Sequence, residues 1–374
     1  MNLDSGLGAW GVPEKMNNSG RDGFPDRILL TGGAGFIGSH VAEALLARGA
    51  DLTIIDNLDP SYSPESKRTN LAEISRAGNF TFHETDVCDL SRLREAFASS
   101  KPQAVIHFAG KSGVRSSFDD PLAYGYANVT GTFHVLELCR EFSVDRFILG
   151  SAGSVYGANC PAPFQEEHPG LKPISPCAVT KLEAENLARE YARLHGLSVV
   201  CLRLFSIYGP RMRPDSAILK FTEALDSGNE LRIFGDGSSM RDYTAVGDTV
   251  PAILAALDYT FSASHKSSNG NGSGNGNGIR PAVPFEIFNL GAANPISLDS
   301  LIASLEKIIG RRTIRNYLAT QSGDVPITFA DNSKARRLLG FRPITPLEVG
   351  LAKFVAWRRS SPIRADRTFS TASA

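Results

Sequence analysis

At 374 residues the chain is long enough to bury a sizeable core in one large domain plus a smaller lobe, and 42% hydrophobic with 21% charged residues places it among ordinary globular proteins. Lys plus Arg and Asp plus Glu each total 39, so no charge bias points to a nucleic-acid or membrane-surface partner. The five cysteines (Cys88, Cys139, Cys160, Cys177, Cys201) form no CxxC pair, no apolar run approaches ~18 residues, and the first 25 residues lack a charged-then-apolar leader. These features predict a cytoplasmic protein with no disulfide framework, no metal site and no membrane span.

Residues 1–25, rich in Gly, Asn, Ser and Asp without periodicity, read as a disordered extension. From Arg27 the pattern changes. "RILLT" is a short buried strand, followed by glycines and a helical pattern through "FIGSHVAEALLARG", and "DLTIID" is the next strand. Apolar strand runs recur at "AVIHFAG", "RFILGS" and "LSVVCLRLF", with helical segments between them, notably "LAYGYANVTGTFHVLELCREF" and "CAVTKLEAENLAREYARLHG". Strands that are nearly all apolar and alternate with helices predict an α/β fold whose parallel sheet is covered on both faces. After about residue 210 the regularity weakens. "SHKSSNGNGSGNGNGIR" at 264–280 reads as a flexible surface insertion, apolar patterns resume at "FEIFNLG", and the tail from 361 reads as loose. The division predicted is a dinucleotide-binding domain over 26–210, to which later segments return, and a substrate-binding lobe over 211–360.

"RILLTGGAGFIGSH" sets Gly33, Gly35 and Gly38 in GxGxxG spacing, and Gly32, Gly35 and Gly38 in GxxGxxG spacing. Glycines are needed where backbone turns tightly, approaches a pyrophosphate and packs against a helix whose N-terminus faces the phosphates. Here they follow a strand, open a helix, and precede Asp56 at the end of the next strand. An acidic residue there accepts hydrogen bonds from the adenosine ribose hydroxyls and repels a 2′-phosphate, so NAD is the cofactor predicted over NADP.

With these residues placed, the chain resembles an extended short-chain dehydrogenase/reductase of the NAD-dependent epimerase/dehydratase family, which acts on nucleotide sugars. The resemblance covers roughly residues 27–358 and rests on "TGGAGFIGSH", "HETDVCDL", "VIHFAG", "NVTGTFHVLELC", "GSVYG", "RLFSIYGPRMRPD", "FGDGSSMRDYTAVGD" and "SGDVPITFADNSKARRLLGFRP". "SGVRSSFDDPLAY", "RPDSAILKFTEAL" and "GDVPITFAD" are most similar to UDP-glucuronate and UDP-glucose 4-epimerases. The resemblance implies a Rossmann-type doubly wound parallel sheet with a smaller C-terminal substrate-binding lobe, and a UDP-linked sugar as substrate. It implies cofactor contacts at Gly32, Gly35, Phe36, Ile37, Gly38, Asp56, Asn57, Asp86, Val87, Phe108, Ala109, Gly110 and Lys181. Arg241 matches the arginine that holds the diphosphate, and Arg115 and Arg213 match arginines near the sugar or diphosphate. A homodimer formed through "GTFHVLELC" and "LEAENLARE" is also implied.

The family's base is a tyrosine four residues before the lysine, one helical turn away on the same face, with a serine or threonine four residues before the Tyr of "VYG". Lys181 is present, but the tyrosine position is Cys177 and the hydroxyl position is Ala152. Three alternatives stand open. Cys177 acts as acid/base, its thiol pKa near ~8.5 being lowered by Lys181, although its sulfur ends about 4 Å short of a phenol oxygen. Ser151, Ser154 or Tyr156 takes over the proton. Or Cys177 is an inert buried thiol in a sugar-nucleotide-binding protein with little turnover. Gly153 and Ser154 stand where the family's dehydratases carry an Asp-Glu pair, which leaves redox epimerisation at C4 the nearest match and a variant dehydratase or oxidoreductase the more distant one.

Overall fold

The computed structural model describes residues 24–268 and 285–360. The predicted extension, apart from its last two residues, and the predicted tail lie outside them, as does most of the 264–280 insertion. The opening residues of that insertion belong instead to a helix, Val246–Ser268, because the Gly/Asn repeats begin only at Asn269. Among the described residues no helix is long and apolar enough to cross a membrane, and no group of three or more His, Cys, Asp or Glu could hold a metal ion.

The first half alternates strand and helix: β1 (Arg27–Thr31), α1 (Phe36–Ala47), β2 (Asp51–Asp56), α2 (Pro64–Ala77), β3 (Thr81–Glu84), α3 (Leu90–Ser100) and β4 (Ala104–His107). A nearly continuous helical run follows, made of α4 (Ser116–Asp119), α5 (Pro121–Tyr124), a π-helical turn (Gly125–Thr130) and α6 (Gly131–Glu141). Then come β5 (Arg146–Ala152), α7 (Pro176–His195) and β6 (Ser198–Leu204). A seventh strand, Phe285–Leu290, returns from the C-terminal half to pair with β6. The sheet is parallel throughout, in the order Phe285–Leu290, β6, β5, β4, β1, β2, β3. This is the doubly wound Rossmann-type arrangement, with the chain reversing direction across the sheet on either side of β1.

Alternation along β1 explains the layers. Ile28 and Leu30 point to one face, where they meet Val41 and Leu45 of α1 and Val250 and Ile253 of the 246–268 helix. Leu29 points to the other, into the cluster that also holds Phe97 of α3, Val135 of α6 and Ala188 of α7. Each such fully buried aliphatic side chain contributes roughly 1.5–3 kcal/mol. A separate apolar cluster gathers residues after 207 around the helices Ala217–Ser227, Leu298–Ile309 and Leu347–Ser360, with Leu225, Leu301 and Phe354 fully buried.

Below the carboxyl ends of β5 and β6 sits a buried ion pair. Arg203 of β6 grips Glu185 of α7 with two parallel bonds, Nε to Oε1 at 3.0 Å and Nη2 to Oε2 at 2.8 Å. Its third nitrogen donates to Tyr156 Oη at 2.9 Å, and that phenol donates to Asn289 Oδ1 at 2.8 Å. Both charges are essentially without solvent contact, so either one left alone would bear its full desolvation cost. Arg203→Met should therefore lower stability by about 3–5 kcal/mol in denaturant unfolding, while Arg203→Met combined with Glu185→Leu should recover most of that loss.

Candidate active site

A cleft of about 860 Å³ opens at the carboxyl ends of the central strands. Its floor is the turn between β1 and α1. Gly32 is held there at φ +73°, and a Cβ on it would lie 2.6 Å from the Ala109 nitrogen at the end of β4. A Cβ at Gly38 would collide with the Gly32 carbonyl, so the first turn of α1 packs directly on the strand it follows. Gly35 caps α1 without a side-chain hydrogen bond, and no acidic residue occupies the first turn. The helix thus presents free N–H groups and an unneutralised positive end, with Phe36 and Ile37 beside it in the cleft wall. That is the geometry a pyrophosphate requires.

Asp56 closes one side. Its carboxylate accepts from the Ala34 N–H at 3.1 Å and the Leu58 N–H at 2.9 Å, and Lys67 Nζ lies 3.9 Å away. Burial pushes its pKa up, opposed by Lys67 and by those two backbone bonds. Each oxygen keeps acceptor capacity for a ribose hydroxyl. Next to it Asn57 donates to Asp86 Oδ2 at 2.7 Å, and Asp86 and Val87 continue the wall at the end of β3.

The opposite wall is the end of β4 and β5. Phe108, Ala109 and Gly110 line it, and so does Lys181, reaching up from α7. The Lys181 ammonium donates to the Gly150 carbonyl at 2.9 Å; burial pushes its pKa down, with Cys177 opposing. Two of its three donors remain for a ligand in the cleft.

The predicted reacting groups divide. Ala152 lines the cleft, but Cys177 does not; its thiol is buried behind the wall, hydrogen-bonded by the backbone at Gly113. Lys181 was expected to bring the thiol pKa down. Instead burial outweighs Lys181 and holds it above the ordinary range. Ser151 reaches the cleft wall, yet its hydroxyl donates to Glu185 Oε1 at 2.5 Å, which commits it to the buried ion pair. Ser154 stands on the short turn Gly153–Tyr156 and is not part of the lining, and the Tyr156 phenol is engaged by Arg203 and Asn289. The Ser151 and Tyr156 hydroxyls are thus engaged in structural bonds, and Ser154 lies outside the cleft lining.

Of the three arginines, Arg213 lines this cleft, donating to the Ser112 carbonyl at 2.9 Å and pairing with Asp215 at 3.1 Å. Arg115 lies outside the lining, bonded to Asp324 at 3.0 Å and stacked 4.4 Å over the Phe234 ring. Arg241 is held by the Met240 carbonyl at 2.8 Å; burial, with Arg115 adding to it, pushes its pKa down, while Tyr243 and Asp324 act to raise it.

Sequence reading missed several lining residues. Tyr124 points its phenol at Ser116 Oγ (2.7 Å) and the Gly113 carbonyl (3.0 Å). Lys67, Lys111, Asp59, Tyr62 and Asp215 also line the cleft. Lys111 directly follows the "FAG" strand end and Asp59 follows Asp56 by three residues, so proximity to the motifs was the available signal.

Residues 28–268 match the sequence profile of the NAD dependent epimerase/dehydratase family. The chain belongs to that family. It is 36% identical to a UDP-glucuronate 4-epimerase of Thermodesulfobacterium geofontis, across 89% of this chain and 96% of the relative. Among solved structures it is similar to the Bacillus cereus UDP-glucuronic acid 4-epimerase in complex with UDP-glucuronic acid and NAD, with TM-score 0.77, 33% identity and coverage of 88% and 98%. A Thermotoga maritima UDP-glucose 4-epimerase with UDP-glucose matches with TM-score 0.76 and 32% identity, over 89% and 98%. NAD is thus the cofactor of this family enzyme, and the open helix end, the close-packed glycines and Asp56 fit it. Because the Asp56 charge repels a 2′-phosphate, Asp56→Asn should shrink the ratio of NADP+ to NAD+ dissociation constants about tenfold in titration calorimetry, a change of ~1.4 kcal/mol.

Proposed function

We propose that the protein is a UDP-sugar 4-epimerase, of the UDP-glucuronate or UDP-glucose type, working through a 4-keto sugar with a changed acid/base group. The observation that carries this reading is Lys181, retained on α7 and held in the cofactor cleft by Gly150 beside Ala152. NAD+ supplies the hydride acceptor for the sugar carbon. The 211–360 region serves as the sugar-nucleotide lobe, with Arg241, Arg115 and Arg213 as ligands for the diphosphate and the sugar. Arg213 already stands in the cleft, and Arg241 has no carboxylate hydrogen bond among those described.

Cys177 takes the proton through a bridging water, because the thiol stands behind the wall and shares its surroundings with Lys181 and Arg213, whose charges favour the thiolate. A thiol held above ~8.5 is mostly protonated at neutrality, so kcat should climb through pH 9 rather than level off near pH 7. A second reading has its own observation: Tyr124 faces the cleft with Ser116 hydrogen-bonded to it, although burial raises that phenol's pKa too. Product analysis of UDP-glucuronate and UDP-glucose incubations by NMR decides among them. Cys177→Ser should cut turnover about 10²–10⁴-fold and Tyr124→Phe by less than about tenfold; the reverse order assigns the proton to Tyr124. Cys177→Tyr with Ala152→Ser, which restores a phenol and a hydroxyl at the family's positions, should exceed wild type. Turnover in that double variant alone would make the native chain a sugar-nucleotide-binding protein.

We also propose a homodimer through α6 and α7. The two helices are tied side by side by the edge contact of Phe133 and Tyr191, with ring centroids 6.0 Å apart. Phe133 (46% exposed), Val179 (42%) and the neighbouring Tyr126 (64%) leave large apolar area uncovered on and beside them. Self-complementary packing about a two-fold axis would cover it. Sedimentation should show a particle of twice the 40.2 kDa chain mass, and Phe133→Glu should yield monomers.

A further inference from the structure

The sheet order places β1 between β2 and β4, with Thr31 paired to Ile55 on one side and His107 on the other. The loops leaving β2 and β4 therefore flank the glycine turn that follows β1. From the β2 side, the segment 57–63 reaches across: Tyr62 Oη comes within 4.0 Å of where a Cβ of Gly35, at the head of α1, would stand. From the β4 side, Lys111 extends its ammonium to meet that segment, 3.1 Å from Asp59 Oδ2 and 3.3 Å from Oδ1. Gly35, Asp59, Tyr62 and Lys111 all line the cleft.

Both ends of this contact are anchored. The Lys111 backbone is clamped by a single side chain: Asn128 Oδ1 accepts its N–H at 2.8 Å, and Asn128 Nδ2 donates to its carbonyl at 2.9 Å. Asp59 donates its N–H to Asn57 Oδ1 at 3.0 Å and accepts from the Ser61 N–H at 2.9 Å. Burial opposes ionisation of the Asp59 carboxyl, but the bonds from Ser61 and the Lys111 ammonium outweigh it and hold it below the usual range. About three-quarters of each side chain is removed from solvent, which spares the pair much of the screening an exposed ion pair suffers.

We propose that Asp59 and Lys111 form a strap across the cofactor cleft, closing over the pyrophosphate position and setting how slowly NAD(H) leaves. Among the described hydrogen bonds and ion pairs it is this pair that joins the two flanking loops, so a cofactor seated on α1 exits after the pair parts. A 4-epimerase returns its cofactor to the starting redox state each cycle, and slow exit keeps the reduced form in place while the sugar is oxidised. The strap itself is a property of the cofactor site and stands whichever sugar is used.

The test reads cofactor exit directly. Protein loaded with NADH is mixed with a large excess of NAD+, and the decay of bound-NADH fluorescence gives the dissociation rate without any sugar present. Asp59→Asn and Lys111→Gln should each speed exit about tenfold, the loss of one charge-assisted bond, and the exchanged pair Asp59→Lys with Lys111→Asp should restore slow exit. Unchanged exit in Lys111→Gln would overturn the strap. Faster exit in Lys111→Gln alone, unmatched by Asp59→Asn and unrestored by the exchange, would also overturn it, making Lys111 a direct phosphate ligand. Circular dichroism and the Tm of cofactor-free variants confirm that any change in rate comes from folded protein.

Discussion

Glu185 is the carboxylate on which the reacting face depends. It lies one helical turn after Lys181, fully buried, and it accepts from Ser151 on β5 and Arg203 on β6. Lys181 donates to Gly150, the residue before Ser151. Two side chains one turn apart on α7 are therefore pinned to two consecutive residues at the end of β5. The spacing of i and i+4 on the helix and of consecutive residues on the strand makes this double attachment possible. It locates the lysine ammonium at the cofactor cleft whatever stands elsewhere on the helix. Position 177, one turn in the other direction, takes no part in the lock, so a thiol can stand there without moving Lys181.

The same lock explains why neighbouring hydroxyls do not replace the missing one. Ser151 precedes Ala152 by one residue, so in a strand its side chain points to the opposite face of the sheet, toward α7 and Glu185. Tyr156 is drawn into the arginine network below the cleft. Tyr124 and Ser116, a hydrogen-bonded pair of hydroxyls that line the cleft, belong to a different segment, the helical run after β4. The glycine turn, the open end of α1 and Asp56 stand on β1, α1 and β2, away from α7, and Lys181 is where α7 meets the same cleft.

The features carried by short-range pattern were legible in the sequence. Apolar runs such as "RILLT" and "SVVCLRL" became central strands because both faces of the sheet are covered, and the glycine spacing became the turn under the cleft. Lys181 and Asp56 followed from their offsets to those motifs. What escaped depends on partners far apart in the chain. Ser151 is captured by a residue 34 positions away, Lys111 by one 52 positions away, and Arg115 by Asp324, 209 positions away. Such pairings are set by strand order and loop path, which periodicity does not encode. The direction of the Cys177 shift escaped for the same reason, since burial by surrounding elements outweighs the nearby lysine.

Four cations line the cleft, and three of them have a carboxylate near: Lys67 with Asp56 at 3.9 Å, Lys111 with Asp59 at 3.1 Å, and Arg213 with Asp215 at 3.1 Å, while the fourth, Lys181, is held by the Gly150 carbonyl. Unpaired cations in a half-buried cleft would raise the energy of the empty site through desolvation and mutual repulsion. Pairing removes that strain, but it also removes most of the long-range attraction for anions. At those three positions a ligand that offers only negative charge must compete with a carboxylate already in place and gains little. A dinucleotide would gain more, because the uncapped end of α1, where no carboxylate competes, fits a pyrophosphate, and Asp56 can accept from ribose hydroxyls without being displaced. The pairing of charges therefore selects for shape and hydrogen-bond pattern over charge, which suits a cleft that must hold one particular cofactor in a cell crowded with simple phosphates.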